Sequence, residues 1–513
     1  MAQAQEAPKW GASIDFEGKL GSKRSLGEAD LMVPFWQDND TLLFGNARYR
    51  FDDEQSKEGN FGVGVRHMLT SGWNLGAYGY FDRRETGYDN DFNQLTFGAE
   101  ALGRHFDLRA NTYWPVGETV KNVDALNTAT LSGTSVIFRG GEERALQGFD
   151  AEVGWRVPVF EFESPYDFRL YGGGFHFYDT DDAAPDITGP RFRAELTAYE
   201  IPNLPNGTRV TLGAEWQNDD VRGSQGFGSL RLRIPLQSEA QRNRRLTAQE
   251  HRMTTPVVRD VDIVAQAGDY GTPETATQLA DGTTFSVISS NSTTGAHLPT
   301  AVQNAGDGST VLLSGTFNTV GETILREGQT LIGANFATVR SPSGRIAPLS
   351  AAAGVINGSF GAVPPGGVVT LANNTTLTGL TITNNTNTVN FVVGGRHVTG
   401  VTLTDNVISG TTTSGTIIAL YVDGTSSITA TGNTFSASGP GVVHALRFSG
   451  GGVIATLQEN RFSAQNGTTN NAVSLGNTTI NAGSTGNVLV AGECENTGGV
   501  TGSISFTNGS TCP

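Results

Sequence analysis

Asp423, Arg396 and Arg447 are the residues of the second half whose types and spacing come nearest to chemistry. An acid beside basic groups in one groove suits hydrolytic or eliminative cleavage of a polysaccharide, which needs a placed carboxylate and a proton acceptor. Little around them adds to that. From Gly271 onward the ionised groups include Asp281, Asp307, Asp405 and Glu459, with Arg340, Arg345 and Arg461, and no Asp-x-Asp or Asp-Asp pair to hold calcium. His397 and His444 lie in strand-like runs, where a packed or solvated ring is the ordinary outcome. No catalytic residue, cofactor or metal ligand is assigned, and a polysaccharide lyase or hydrolase stands as the alternative to a non-enzymatic chain.

Two other sets of side chains do structural chemistry. Cys494 and Cys512 are the only cysteines and lie close together near the end. They read as one disulfide made in an oxidising compartment, the other reading being two unpaired thiols. Closing such a loop is worth roughly 3 kcal/mol on a chain-entropy estimate. Asn406, Asn433, Asn460 and Asn487 recur every 27 residues, in "DNVIS", "GNTFS", "ENRFS" and "GNVLV". A period of that size marks a solenoid, in which the same residue sits above itself in successive coils. The asparagines are then a structural amide ladder, each side chain bonding its neighbours.

The ladder must be held by coils of short strands. A second series, "ALYV" at Ala419, "ALRF" at Ala445 and "AVSL" at Ala472, keeps nearly the same step. β-branched residues alternate with Thr and Asn, and Gly stands at corners, so strands are predicted rather than helices. Each period fits one turn of a parallel β-helix. Earlier coils are less regular: "LTGLTITNN" at Leu377 resembles "VTGVTLTDN" at Val398, a shorter period away. An amphipathic helical turn within residues 298–317 is expected to cap the first coil, and the cysteine pair to pin the last, because open coils expose sheet edges.

The first half has another pattern. Twelve segments of alternating polarity start near Trp10, Ala29, Thr41, Asn60, Trp73, Asp91, His105, Gln147, Phe168, Arg191, Thr208 and Gly226. Phe61, Val63, Val65 and His67 face one way, and Gly62, Gly64 and Arg66 the other, since successive side chains on a strand alternate. A soluble sheet alternates too. The even number of strands, their length of about ten residues and the aromatics at their ends predict a transmembrane barrel. Those aromatics are Trp10, Trp36, Trp73, Phe81, Trp114, Trp155, Tyr178 and Trp216. Connections around Asn39, Ser71 and Gly103 are short; those at 52–59, 83–90, 117–145, 179–189 and 218–224 are longer and polar. Arg231 and Arg233, opposite Leu230, Leu232 and Ile234, are the candidates for side chains facing a wet lumen.

Residues 237–253 are charged, helix-forming and without an apolar stripe, which suits the polar inside of a barrel. Pro256 ends that helix, and residues 256–266 read as an extended linker. Helix and linker would carry the chain back out through the pore. The net charge of −16 argues against a nucleic-acid partner. No apolar run reaches the roughly eighteen residues of a membrane helix. The first ten residues lack the features of a secretion signal, so Met1 is read as an added start on a mature chain, or the signal as trimmed.

Residues 42–266 resemble the β-domain of inverse autotransporters, the group of intimin and invasin. The matching stretches are "LLFGNARYRFDD", "NFGVGVRHMLTSGWNLGAYGYFD", "LTFGAEALGRHFDLRANTYWPV", "GFDAEVGWRVPVF" and "RLRIPL…RRLTAQEHRMTTPVVRDVDIV". The resemblance implies an all-β chain: a 12-stranded transmembrane β-barrel with its amino end in the periplasm, then a passenger displayed on the surface of a Gram-negative bacterium. It implies outer-membrane lipid, the barrel assembly machinery and periplasmic chaperones as partners. Residues 298–336 resemble the opening coils of a pectin-lyase-like right-handed parallel β-helix, in fold only. Two departures stand out: the usual peptidoglycan-binding module is not found before the barrel, and the passenger is not a run of immunoglobulin-like domains. The expected division is a barrel over 1–236, a lumen helix and linker over 237–270 and a β-helix over 271–513. The expected function is export and display of an adhesin whose ligand, on a host, glycan or bacterial surface, is unknown.

Overall fold

Alternating polarity closes the first half into a sheet without edges. The computed structural model describes residues 9–199, 201, 203–204, 207–237, 246–260, 262–361 and 366–513. In chain order the strands are β1 (Ser13–Gly21), β2 (Leu26–Gln37), β3 (Thr41–Asp52), β4 (Lys57–Met68), β5 (Asn74–Glu85), β6 (Asp91–Leu102) and β7 (Phe106–Val116). Four short strands follow in one connection: β8 (Val120–Asn122), β9 (Thr128–Ser132), β10 (Ser135–Arg139) and β11 (Glu142–Ala145). The wall resumes with β12 (Gln147–Arg156), β13 (Tyr166–Tyr178), β14 (Ile187–Ala198), β15 (Arg209–Gln217) and β16 (Gln225–Pro235). β1 to β7 and β12 to β16 form a closed antiparallel barrel of twelve strands, shut by β1 against β16 with Ser13 opposite Pro235.

The barrel is apolar outside and charged inside. Phe61, Val63, Leu75, Phe97, Leu108, Val153, Leu212 and Leu230 are exposed, while their neighbours Asn60, Arg66, Asp82, Glu100 and Arg109 are buried. A soluble protein hides its large apolar side chains; a belt of them around paired charges is the inverse, and suits lipid. Trp36, Trp114, Trp155 and Trp216 lie on this outer surface, 42–51% exposed. Trp10 does not join that girdle. It is 1% exposed, and its indole Nε1 donates to the Glu250 carbonyl at 3.0 Å, so a hydrogen bond inside holds it rather than the headgroup layer. Gly62 and Gly64 leave room on the inner wall: a Cβ would come within 2.3 Å of the Tyr80 ring and 2.4 Å of the Phe44 ring.

Connection lengths alternate less cleanly than expected. The turns at 38–40, 69–73 and 103–105 are short, but so is 53–56, and the gaps at 157–165 and 199–208 are longer than that. β3 and β4 run on into what reads as loop, because paired backbone satisfies more of its own polar groups than a loop does.

The chain divides into two compact units, Met1–Leu126 with Gly141–Gly271, and Asn127–Gly140 with Thr272–Pro513. The second is a parallel β-solenoid with three strands in most coils. Its register steps by 27 residues where the repeat is cleanest: Thr402 lies beside Thr429, and Thr429 beside Thr456. Stacked inward rows, such as Ile382, Ile408, Phe435 and Phe462, fill one continuous core. Phe435 and Phe462 stack at 5.6 Å between centroids. Helix Leu298–Ala305 buries Leu298 and Val302 in that core, at the first coils. The likeness of residues 377–385 to 398–406 is not a coil step. Leu377 pairs with Leu403, 26 residues on. Alternating Thr is common to all these strands, and the inward apolar residue sets the register instead.

Candidate functional site in the barrel lumen

The lumen is rich in charge because the inward phase of the wall strands carries many polar residues among a few apolar ones such as Leu42 and Phe44. On β7, Asp107, Arg109, Asn111 and Tyr113 point inward and are buried. Buried charges persist where they are paired, and the wall pairs its own. Arg66 and Glu100 meet at 2.6 Å, Arg109 and Glu152 at 2.7 Å, and Arg169 and Asp107 at 3.2 Å. Arg231 lies against Glu17 at 3.0 Å and Arg233 against Asp15 at 2.7 Å, both across the closing seam of β1 and β16.

Chain from beyond the last strand fills this bore. Helix α1 (Ala248–Arg252) starts at a capping box, with Thr247 Oγ1 accepting from the Glu250 N–H and Glu250 Oε2 accepting from the Thr247 N–H. The helix expected over 237–253 is thus five residues long among those described; residues 238–245 lie outside them. α1 sits at the short-turn end, where Gln249 Nε2 donates to the Leu69 carbonyl at 3.1 Å and Asn74 Nδ2 to the Gln249 carbonyl at 2.9 Å. Arg252 pairs with Asp107 at 2.6 Å.

Among the described residues from Thr255 to Val264 no helix or strand is formed, so the backbone needs partners from the wall. Arg66 Nη1 donates to the carbonyls of Met253 and Thr255 at 2.9 and 2.6 Å. Arg233 donates to the Thr254 carbonyl. The Asp260 N–H donates to Tyr113 Oη at 2.6 Å and the Ile263 N–H to Glu58 at 2.8 Å. The linker's own charges are met as well: Arg259 by Asp82 at 2.9 Å, Asp260 by Arg191, and Asp262 by Arg24 at 2.7 Å. At the loop end Leu146 donates to the Val264 carbonyl at 2.8 Å, and strand β17 (Ala265–Gly268) pairs with β11.

Residues 255–264, if extended, reach roughly 33 Å, about the 30 Å of a hydrocarbon core. One strand-like crossing therefore carries the chain from the end where β16 finishes to the end where the loops lie. A cavity of about 90 Å³ remains beside α1, lined by Arg156, Arg169, Tyr199, His251 and Arg252. Sequence reasoning marked Arg231 and Arg233 but missed Arg66, Asp82, Asp107, Tyr113 and Arg191, which grip the threaded chain. The signal for them was available: each stands in the polar phase of an alternating strand.

In the second unit the four asparagines stack. Asn406 Nδ2 donates to Asn433 Oδ1 at 2.9 Å, Asn433 Nδ2 to Asn460 Oδ1 at 3.0 Å and Asn460 Nδ2 to Asn487 Oδ1 at 3.2 Å. Each Oδ1 also accepts the backbone N–H of the rung before, as Asn433 Oδ1 does from Asn406 at 2.9 Å. The residues before them, Asp405, Gly432, Glu459 and Gly486, all have φ between 54° and 73°, so each rung begins at a left-handed corner. Cys494 and Cys512 are joined, with their Cα atoms 5.6 Å apart. Arg396 Nε lies 3.0 Å from Asp423, whose other oxygen accepts from Tyr421 at 2.9 Å; Arg447 stands beside Tyr421 on the next strand. His397 is exposed, and His444 is 3% exposed. Among the described residues no three His, Cys, Asp or Glu side chains form a metal-holding group.

Comparison with known proteins covers the barrel half of the chain. Residues 3–225 match the inverse autotransporter β-domain. No curated protein matches the chain. Among solved structures, a membrane protein from an in-meso crystallisation study is 17% identical, with a TM-score of 0.36, covering 50% of this chain and 99% of its own. The β-domain of the Bordetella autotransporter BrkA is 11% identical, with a TM-score of 0.25, covering 44% and 98%. An outer-membrane channel from Pseudomonas putida is 11% identical, with a TM-score of 0.34, covering 45% and 97%. No activity follows from likenesses this distant. The first half of the chain is thus an inverse autotransporter β-domain set in the outer membrane, and the surface-exposed passenger that follows it is a parallel β-solenoid.

Proposed function

We propose that the barrel exports its own carboxyl-terminal β-helix through its lumen, then anchors it as a cell-surface adhesin. The observation that carries this reading is the linker: it leaves the end where β16 stops, crosses the bore on wall side chains, and reaches the loop end at Val264. In this reading residues 1–236 are the anchor, 237–270 the lumen helix and linker, and 271–513 the displayed solenoid. The asparagine ladder and the Cys494–Cys512 bridge stiffen the rod, and Arg231 and Arg233 help line the lumen. Outer-membrane lipid surrounds the anchor, and the barrel assembly machinery and periplasmic chaperones deliver it. A rod with polar faces of Thr, Asn and Ser suits contact with glycans or other cells.

Protease applied to intact cells tests this. Removal of the second unit, with a protected fragment ending near residue 270, supports display; a second unit reached only after the outer membrane is opened contradicts it. Surface polysaccharide cleavage has the Arg396–Asp423–Tyr421 group in its favour. Unsaturated products from polygalacturonate would favour it over adhesion.

A further inference from the structure

The connection between barrel strands β7 and β12 supplies part of the passenger. Residues 127–140 pack in the second unit, although they lie between two strands of the first. β9 and β10 form a hairpin, Ser135 opposite Ser132, turned by Gly133 at φ 64° and Thr134. They are the second and third strands of a six-stranded sheet. On one edge β10 pairs antiparallel with β18 (Glu274–Ala276), the first strand of the chain after the linker. On the other edge β9 pairs parallel with strand Ile346–Ser350. Asn127 Nδ2 reinforces that edge by donating to the Ile346 carbonyl at 3.0 Å.

The pairing is also a packing surface. Ala129, Val136 and Phe138 are each at most 1% exposed and share a core with Leu312, Val339 and Leu349 of the solenoid. Leu312 stands in register with Val287 and Ile332, so this sheet covers an outer face of the first coils.

From these placements we propose that the β9–β10 hairpin is an intramolecular template that starts the folding of the passenger. This rests on the export reading and adds to it. A two-residue hairpin forms locally and fast, before its distant partners arrive, and presents two open edges. The linker brings those partners close. Glu142 on β11 lies opposite Gly268 on β17, four residues after Phe138 and six before Glu274. Once that pair forms, joining Phe138 to Glu274 closes a loop of ten residues instead of 136, and the effective concentration rises about fiftyfold. The first strand out therefore meets an edge waiting for it, and later coils stack on the result.

The test compares the full chain with the Val136→Asp/Phe138→Asp variant in the outer membrane of a Gram-negative host. Heat-shifted migration reports the barrel; protease resistance after a pulse label reports passenger folding at the surface. The template predicts a normal barrel and a passenger that gains resistance about tenfold more slowly, as expected when a folding nucleus loses its contacts. Barrel and passenger both at the wild-type rate would overturn it. Should the variant barrel fail, the Ile137→Cys/Thr275→Cys pair decides instead; the two stand opposite each other, Ile137 half-buried and Thr275 exposed. Cross-linking before resistance appears supports the template, and cross-linking only afterwards refutes it. A wild-type passenger that never reaches external protease would sink the export reading, and the template with it.

Discussion

The guanidinium of Arg259 on the linker lies 2.9 Å from the carboxylate of Asp82 on the barrel wall, and both side chains are sealed from solvent. The next linker residue, Asp260, meets Arg191 from the opposite side of the sequence order. Two adjacent residues of opposite sign, each matched by a wall charge, fix the linker in one register, because a one-residue slip would bury like charges together.

Removing both anchors should loosen the plug. The Arg259→Ala/Asp260→Ala protein, placed in a planar bilayer, is expected to show frequent ion-conducting openings, while the wild type stays mostly closed. Equal conductance from the two proteins would mean that the linker does not fill the bore.

The ladder predicts a stability loss. Asn433→Ala leaves the Asn406 N–H and the Leu403 carbonyl without the partners they have now, at 2.9 and 2.8 Å. Buried orphans of this kind cost on the order of 3 kcal/mol together. The passenger's thermal transition should fall accordingly. Asn481→Ala, at an exposed site, is expected to change it by less than about 0.5 kcal/mol.

How far this was legible from residues alone depended on periodicity. The twelve strands, the solenoid and its 27-residue step are local repeats, so Phe61 facing out or Asn433 stacking on Asn460 needs no distant information. Contacts between far parts of the chain were not legible. Nothing near Val136 announces Ala276, and nothing at Trp10 announces Glu250, because such pairings depend on where the linker emerges. The end of α1 was legible, since Arg66 and Arg233 take the backbone carbonyls of residues 253–255 where Pro256 is expected to stop the helix; most of its expected start, residues 238–245, lies outside the described residues.

His444 gives a pH dependence. Burial, with Arg447 nearby, pushes its imidazole down to about 4. An unfolded histidine takes up its proton near pH 6.5, so between about pH 6.5 and 4 the unfolded chain binds more protons than the folded one. The contribution of neutral His444 to stability is full above that window and lost as the pH falls through it. His444→Gln should flatten this part of the passenger's urea-midpoint profile; an unchanged difference between pH 7 and pH 4.5 would contradict it.

The disulfide closes an 18-residue separation at the end of the solenoid. Cys512→Ser is expected to lower the stability of the last coil by roughly 3 kcal/mol on a chain-entropy estimate. Limited proteolysis should then trim residues after 487 first. Reductant should do the same to the wild type and nothing more to the variant.

The account stands on a linker that lies inside the bore of a barrel in the membrane. Cysteines placed at Arg191 and Asp260, whose side chains meet there, test this in intact cells with a short bis-maleimide. The account predicts an internal cross-link that survives proteolytic removal of the surface-exposed passenger. Efficient labelling of both cysteines without any cross-link, in cells displaying the passenger, would contradict it.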